Sequence, residues 1–194
     1  MALTPSTMLC LETIAPDFSL LNVRTNKWVS LSDFQSKKVL LVMFICKHCP
    51  YVIHVQSELA RIGKDYENKD IGIVAISAND AESYPDDSPK NLKQMAIDLD
   101  FRFSLLYDET QAVAKAYKAA CTPDFFLFDG ERRLVYRGQL DDNRPGNSKP
   151  ITGKDLRNAI DLALQGKKNL GEQFPSMGCN IKWKPGQTPS YFSK

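Results

Sequence analysis

The sequence has no surplus of charge of one sign: 25 Lys and Arg stand against 23 Asp and Glu over 194 residues, a formal net charge of +2. Nucleic acids and anionic membrane surfaces are met by a basic excess or patch, so neither is an expected partner. Long apolar runs are missing as well. The longest, Val39 to Ile45, falls far short of the about 20 residues that span a bilayer. The opening, Met1 to Cys10, lacks the basic start and the apolar run of roughly 7–15 residues of a secretory signal, so export is not expected. No repeat, low-complexity tract or long flexible linker divides the chain. What is present is 43% hydrophobic and 25% charged residues, the balance of a globular domain with one core. Five cysteines are an odd count in a chain too long to need disulfide staples, which excludes a secreted disulfide framework and points to a reducing, cytoplasmic setting. The question is which of the five react.

Periodicity orders the chain. Asp17 to Leu31 offers short β-prone pieces around Arg24-Thr25-Asn26, which suits a hairpin. Val39 to Ile45 is continuously apolar and reads as a central strand covered on both faces. Val52, Val55, Leu59 and Ile62 recur three to four apart, so 51–66 reads as a helix with one face on the sheet. Ile71 to Ser77 is a second buried strand. The acidic, proline-containing 79–89 reads as a loop, and Ser88-Pro89 opens a helix that runs to Leu99. A strand over 103–107, a helix over 111–119 and two strands, 125–128 and 134–140, around the Asp129-Gly130 turn follow. Asp141, Asp142 and Arg144 then read as a solvated charged loop, and Thr152 caps a last helix, 155–164, that Gly166 closes. Alternating strands and helices imply a mainly parallel sheet sandwiched by helices, with the late hairpin adding antiparallel strands. Residues 1–166 form one expected domain, and the aperiodic 167–194 an irregular tail packed on or near it.

Cys46-Lys47-His48-Cys49 falls where the first apolar strand ends and the first long helix begins. Two intervening residues bring the sulfurs within disulfide reach. A helix N-terminus stabilises a thiolate, which would lower Cys46 below the usual value of about 8.5 and make it the nucleophile, with Lys47 and His48 tuning it by positive charge. Cys49 would resolve the mixed disulfide, and Pro50 suits the first helical turn. Stabilising the thiolate stabilises the reduced form, so the couple is expected to be a comparatively oxidising one. The same spacing also serves half of a zinc site, but a structural site takes four ligands and no second Cys-x-x-Cys is present. His54, five residues after Cys49, reads as an ordinary helix histidine.

The second signal is Cys121-Thr122-Pro123-Asp124, a proline opening an apolar strand. Together with Ala15-Pro16-Asp17-Phe18 and the run Cys46-Lys47-His48-Cys49-Pro50-Tyr51-Val52, it resembles the thioredoxin fold, in the redoxin branch of alkyl-hydroperoxide-reductase and thiol-specific-antioxidant-like proteins. The likeness spans about 12–165, and the long motif with Gly178-Cys179-Asn180-Ile181-Lys182-Trp183-Lys184 is similar to a group of bacterial thioredoxin-like proteins. The resemblance implies an α/β thioredoxin-like fold, a central mixed sheet with helices on both faces. It implies a cis bond at Pro123 facing the cysteine pair, and backbone hydrogen bonds from Thr122 to an extended substrate strand. Cys121 would then lie close enough to be a third redox thiol. Cys179 is either a resolving thiol or a packing residue, and Cys10 a bystander.

Three departures from that pattern matter. Ile45 stands where thioredoxin has Trp, and Lys-His where it has Gly-Pro. Leu40 to Phe44 hold no counterpart of thioredoxin's buried acid. The Thr that precedes a peroxidatic cysteine by three is absent, since Met43 precedes Cys46. The expected function is a cytoplasmic thiol-disulfide oxidoreductase, attacking through Cys46 and resolving through Cys49, with no metal or organic cofactor beyond the dithiol itself. Its expected partners are protein or small-molecule disulfides and an unidentified electron donor. The alternatives are a thiol-dependent peroxidase and a binding module whose cysteines act as a redox switch or metal clip.

Overall fold

In the computed structural model, which describes residues 3–192, the strands are β1 (Leu3–Pro5), β2 (Ser19–Asn22), β3 (Trp28–Ser30), β4 (Val39–Phe44), β5 (Ile71–Ser77), β6 (Ser104–Tyr107), β7 (Cys121–Thr122), β8 (Asp124–Phe128), β9 (Leu134–Tyr136) and β10 (Met177–Asn180). The helices are α1 (Pro50–Asp65), α2 (Pro89–Asp98), α3 (Ala112–Ala116) and α4 (Lys154–Leu164). A seven-stranded sheet runs in the order β3-β2-β6-β5-β4-β8-β9. Only β4, β5 and β6 are mutually parallel, and the remaining pairs are antiparallel, so the sheet is mixed rather than mainly parallel. A second sheet of three antiparallel strands, β1-β10-β7, sits beside it.

The apolar run of β4 explains its central place. Alternate side chains leave a strand on opposite faces, and both faces here are covered. Val39, Leu41 and Met43 pack with Val52, Leu59 and Ile62 of α1, Leu92 and Ala96 of α2, and Leu156 and Ile160 of α4. Leu40, Val42 and Phe44 face the other way, onto Val113 and Ala114 of α3, Tyr117, and Phe126 and Phe128 of β8. The strand ends at one edge of this sandwich, and the cysteine motif follows directly. Among the described residues no helix is long and apolar enough to cross a membrane.

Where the structure differs from the periodicity, a buried polar group is the reason. Strand β9 stops at Tyr136, because Arg137 turns inward and pairs through both guanidinium nitrogens with Asp124, each side chain fully buried. Helix α3 is shorter than expected. Gln111 takes a left-handed φ of 61° before it, with its amide donating to Ala78 O at 2.6 Å and Lys182 O at 2.9 Å. Asp141 is not solvated but buried, accepting from the backbone N–H of Asn143, Thr152 and Gly153. It thereby anchors the entry to α4, whose N-cap is Gly153 rather than Thr152. The tail is regular where it supplies β10.

Asp124 follows Pro123 immediately, so the Arg137 pair fixes the start of β8 below the candidate site. Removing one partner of a buried pair leaves an uncompensated charge. Arg137→Met should lower the unfolding free energy in urea by about 3–5 kcal/mol; a loss below about 1 kcal/mol, the scale of an exposed pair, would contradict this role.

Candidate active site

The motif lies in the loop between β4 and α1, and the helix starts at Pro50, one residue ahead of the expected 51. Pro50 takes the first helical position, and Cys49, in an extended conformation, is the N-cap. The first-turn amides therefore serve Cys49, with Val52 N–H directed at its sulfur, and not Cys46 as the sequence leads one to expect. The loop is held by an acid from elsewhere in the chain. Asp87, at the end of a 3₁₀ turn and fully buried, accepts from Lys47 N–H at 2.7 Å and His48 N–H at 3.2 Å through one oxygen. Its other oxygen meets His48 Nδ1 at 2.5 Å and accepts from Asn79 Nδ2 at 2.7 Å. His48 also stacks on Tyr84, with ring centroids 5.5 Å apart.

Thr122 closes the site from the opposite side. The Thr122–Pro123 bond is cis. The Thr122 hydroxyl lies 3.4 Å from Cys46 Sγ, and its carbonyl accepts from Cys49 Sγ at 3.2 Å. One residue thus offers a donor to the first sulfur and an acceptor to the second. Cys46 is 1% exposed and Cys49 is fully buried.

The sulfurs share a proton. The hydrogen bond with Cys49, then burial, then the charge of Asp87 push the Cys46 thiol well up. The same hydrogen bond, received from Cys46, brings Cys49 down to about 5 against the opposing effect of burial, and further bonds from Cys179, Thr122 and Val52 assist. The two sulfurs therefore lose their first proton as a pair, the hydrogen bond between them holding Cys46 up and drawing Cys49 down. Lys47 reaches Asp87 through its backbone, and His48 is oriented by Asp87 with a ring nitrogen within 4.8 Å of Cys46 Sγ.

Cys46, His48 and Asp87 place ligand-type atoms within 4.8 Å of one another. The Asp87 oxygens are already engaged by four N–H groups, which suits a fixed carboxylate orienting an imidazole rather than a carboxylate left open to a metal.

Cys121 and Cys179 exchange the positions expected of them. Cys121 Sγ is turned toward Pro123 O at 3.6 Å and Ser176 O at 3.9 Å, and burial pushes its thiol well up. Cys179, on β10, hydrogen-bonds through sulfur to Cys49, and burial raises it to about 12. The backbone of Thr122, reserved by the resemblance for an extended substrate, is paired with β10, in the register Cys179↔Thr122 and Asn180↔Cys121. His54 contacts Asn143 away from the sulfurs. Asp87 and Asn79 were hidden in what reads as an acidic loop. The available signal was topological: β4 and β5 are parallel neighbours, so the loops at their C-terminal ends must meet.

The AhpC/TSA family matches residues 11–137 of this chain, and no curated protein matches it. The crystal structure of an uncharacterized conserved protein from Geobacillus kaustophilus is 52% identical, with a TM-score of 0.94 over 96% of this chain and 98% of that one. A hypothetical protein from Sinorhizobium meliloti is 45% identical, with a TM-score of 0.92 over 94% of this chain and 100% of that one. The thioredoxin domain of a thiol-disulfide oxidoreductase from Bacteroides vulgatus shares the fold, with 20% identity and a TM-score of 0.61 over 79% of this chain and 97% of that one.

Because Cys49 is lowered to about 5, the thiolate exists above that pH and is lost below it. Thiolate absorbance of the reduced protein should show a first step near pH 5 that disappears in Cys49→Ser. A first step near the ordinary cysteine value of about 8.5 would contradict the shared proton.

Proposed function

The chain belongs to the AhpC/TSA family, thioredoxin-fold redoxins with redox activity, and we propose that it acts as a cytoplasmic thiol-disulfide oxidoreductase cycling between a Cys46–Cys49 dithiol and disulfide. The observation that carries this reading is the double contact of Thr122 with the two sulfurs. When the shared proton moves from Cys46 to Cys49, the Thr122 hydroxyl can donate to the new Cys46 thiolate while its carbonyl receives the new Cys49 thiol. Cys46 thereby becomes the attacking sulfur at no cost in unpaired polar groups.

Attack on a disulfide RS–SR′ forms Cys46–SR and expels R′S⁻, which takes the proton of Cys49. The Cys49 thiolate then attacks Cys46 Sγ, closing the Cys46–Cys49 bond and expelling RS⁻. Two electrons pass to the substrate, and an external dithiol donor returns them. His48, backed by Asp87, is the group placed to stabilise negative charge on Cys46 as it develops. Neither metal nor organic cofactor enters the cycle. Protein or small-molecule disulfides are the substrates.

The family description also favours a second reading, reduction of a hydroperoxide by Cys46. Against it, Met43 occupies the position where a peroxidatic cysteine has Thr.

Disulfide-exchange turnover with oxidised glutathione should fall to the uncatalysed rate in Cys46→Ser, and Cys49→Ser should accumulate a mixed disulfide on Cys46. Reduced wild type should meet hydrogen peroxide no faster than free cysteine does. Turnover surviving in Cys46→Ser would rule out the oxidoreductase cycle, and fast peroxide oxidation would favour the peroxidase.

A further inference from the structure

The C-terminal strand pairs with the backbone of Thr122, the residue that touches both sulfurs of the motif. β10 lies antiparallel on β7, with Cys179 opposite Thr122. The approach is so close that a Cβ on Gly178 would stand 2.0 Å from the Thr122 carbonyl oxygen, so no other residue fits there without displacing the strand. On its far side β10 is held by β1, in the register Leu3↔Cys179. Ser176 Oγ donates to Pro123 O at 2.7 Å, tying the strand's entry to the residue after Thr122. Beyond the strand, Lys182 N–H donates to Asn79 Oδ1 at 2.8 Å, and Asn79 is itself bound to Asp87. The tail is thus fastened to both walls of the dithiol site. It carries a cysteine, and Cys179 is buried in one cluster with Cys46 and Cys49, opposite Thr122.

We propose that β10 is an internal substrate strand and Cys179 a third redox thiol, which takes over the disulfide from Cys46 as a Cys49–Cys179 bond. The proposal rests on the Cys46–Cys49 cycle above. Once that bond has formed, the Cys179 sulfur, deprotonated, attacks Cys49 Sγ. The Cys49–Cys179 bond forms, the Cys46–Cys49 bond breaks, and Cys46 leaves as a thiolate that takes up the proton Cys179 gave away. The number of disulfides is unchanged, so no oxidant is needed beyond the substrate disulfide. The thiolate of Cys49, one of the causes that raise Cys179 in the reduced protein, is gone in the oxidised one. Cys121 is not placed for this step, since its thiol faces Pro123 O and Ser176 O. Exchange with Cys179 leaves Cys46 reduced and shelters the oxidised bond beneath the tail.

Lys47 makes the test direct, because trypsin, cutting after it, puts Cys46 and Cys49 on separate peptides. Reduced full-length protein is treated with oxidised glutathione, quenched with acid, alkylated, digested and its linked peptides identified by mass spectrometry. Wild type should yield both Cys46–Cys49 and Cys49–Cys179 links. Cys46→Ser, which lacks the attacking sulfur, should yield neither link, and Cys179→Ser only Cys46–Cys49. Abundant Cys46–Cys49 with no Cys49–Cys179 in wild type would overturn the third thiol while leaving the oxidoreductase cycle standing. Absence of both links in wild type would overturn the two together.

Discussion

The Asp87 carboxylate is buried completely and accepts hydrogen bonds from Lys47 N–H, His48 N–H, the His48 ring and the Asn79 amide. An ionised carboxylate taken out of water is costly unless its lone pairs are filled, and these four donors fill them. The contact joins the loop after β4 to the loop after β5, the two parallel neighbours at the centre of the sheet. Through Asn79 it also reaches Lys182 beyond β10. The position of Cys46, the orientation of His48 and the seat of the tail all depend on that one acid. Its charge adds to the hydrogen bond with Cys49 and to burial in pushing the Cys46 thiol up.

Thioredoxin carries its buried acid in the strand before the motif, and here that strand is apolar throughout. The acid arrives instead from the turn at Pro85–Asp87, on the other side of the cysteines. The family frame is kept while the groups that set acidity are redistributed. Thr122 spans both sulfurs, its hydroxyl facing Cys46 and its carbonyl facing Cys49. Ile45, Lys47 and His48, which separate this motif from thioredoxin's, surround the same two sulfurs with a different field.

The parts of the fold that depend on local pattern were legible in the sequence. The apolar run of β4, the three-to-four spacing of α1, Ser88-Pro89 ahead of α2 and the Asp-Gly turn between β8 and β9 each carry their own signal. The cysteine motif and the Thr-Pro pair likewise announce themselves. What was hidden is long-range and polar. Asp87 lies 40 residues from Lys47, and nothing in an acidic loop marks one carboxylate as buried. Arg137 sits in an alternating stretch that reads as strand until its pair with Asp124 is seen. β10 is four residues long, includes a glycine and has no periodicity of its own, so it exists only because β1 and β7 offer edges. The acidity of the two sulfurs turned on the hydrogen bond between them, on burial and on Asp87, none of which the spacing of the motif displays.

The account stands on a reversible two-electron couple between Cys46 and Cys49, poised by a stabilised thiolate. Its most direct test is to equilibrate the full-length protein with glutathione redox buffers of graded ratio and quantify the Cys46–Cys49 bond. The account predicts a single two-electron transition at a potential above the about −270 mV of thioredoxin. Failure to form the Cys46–Cys49 bond at any glutathione ratio would contradict it.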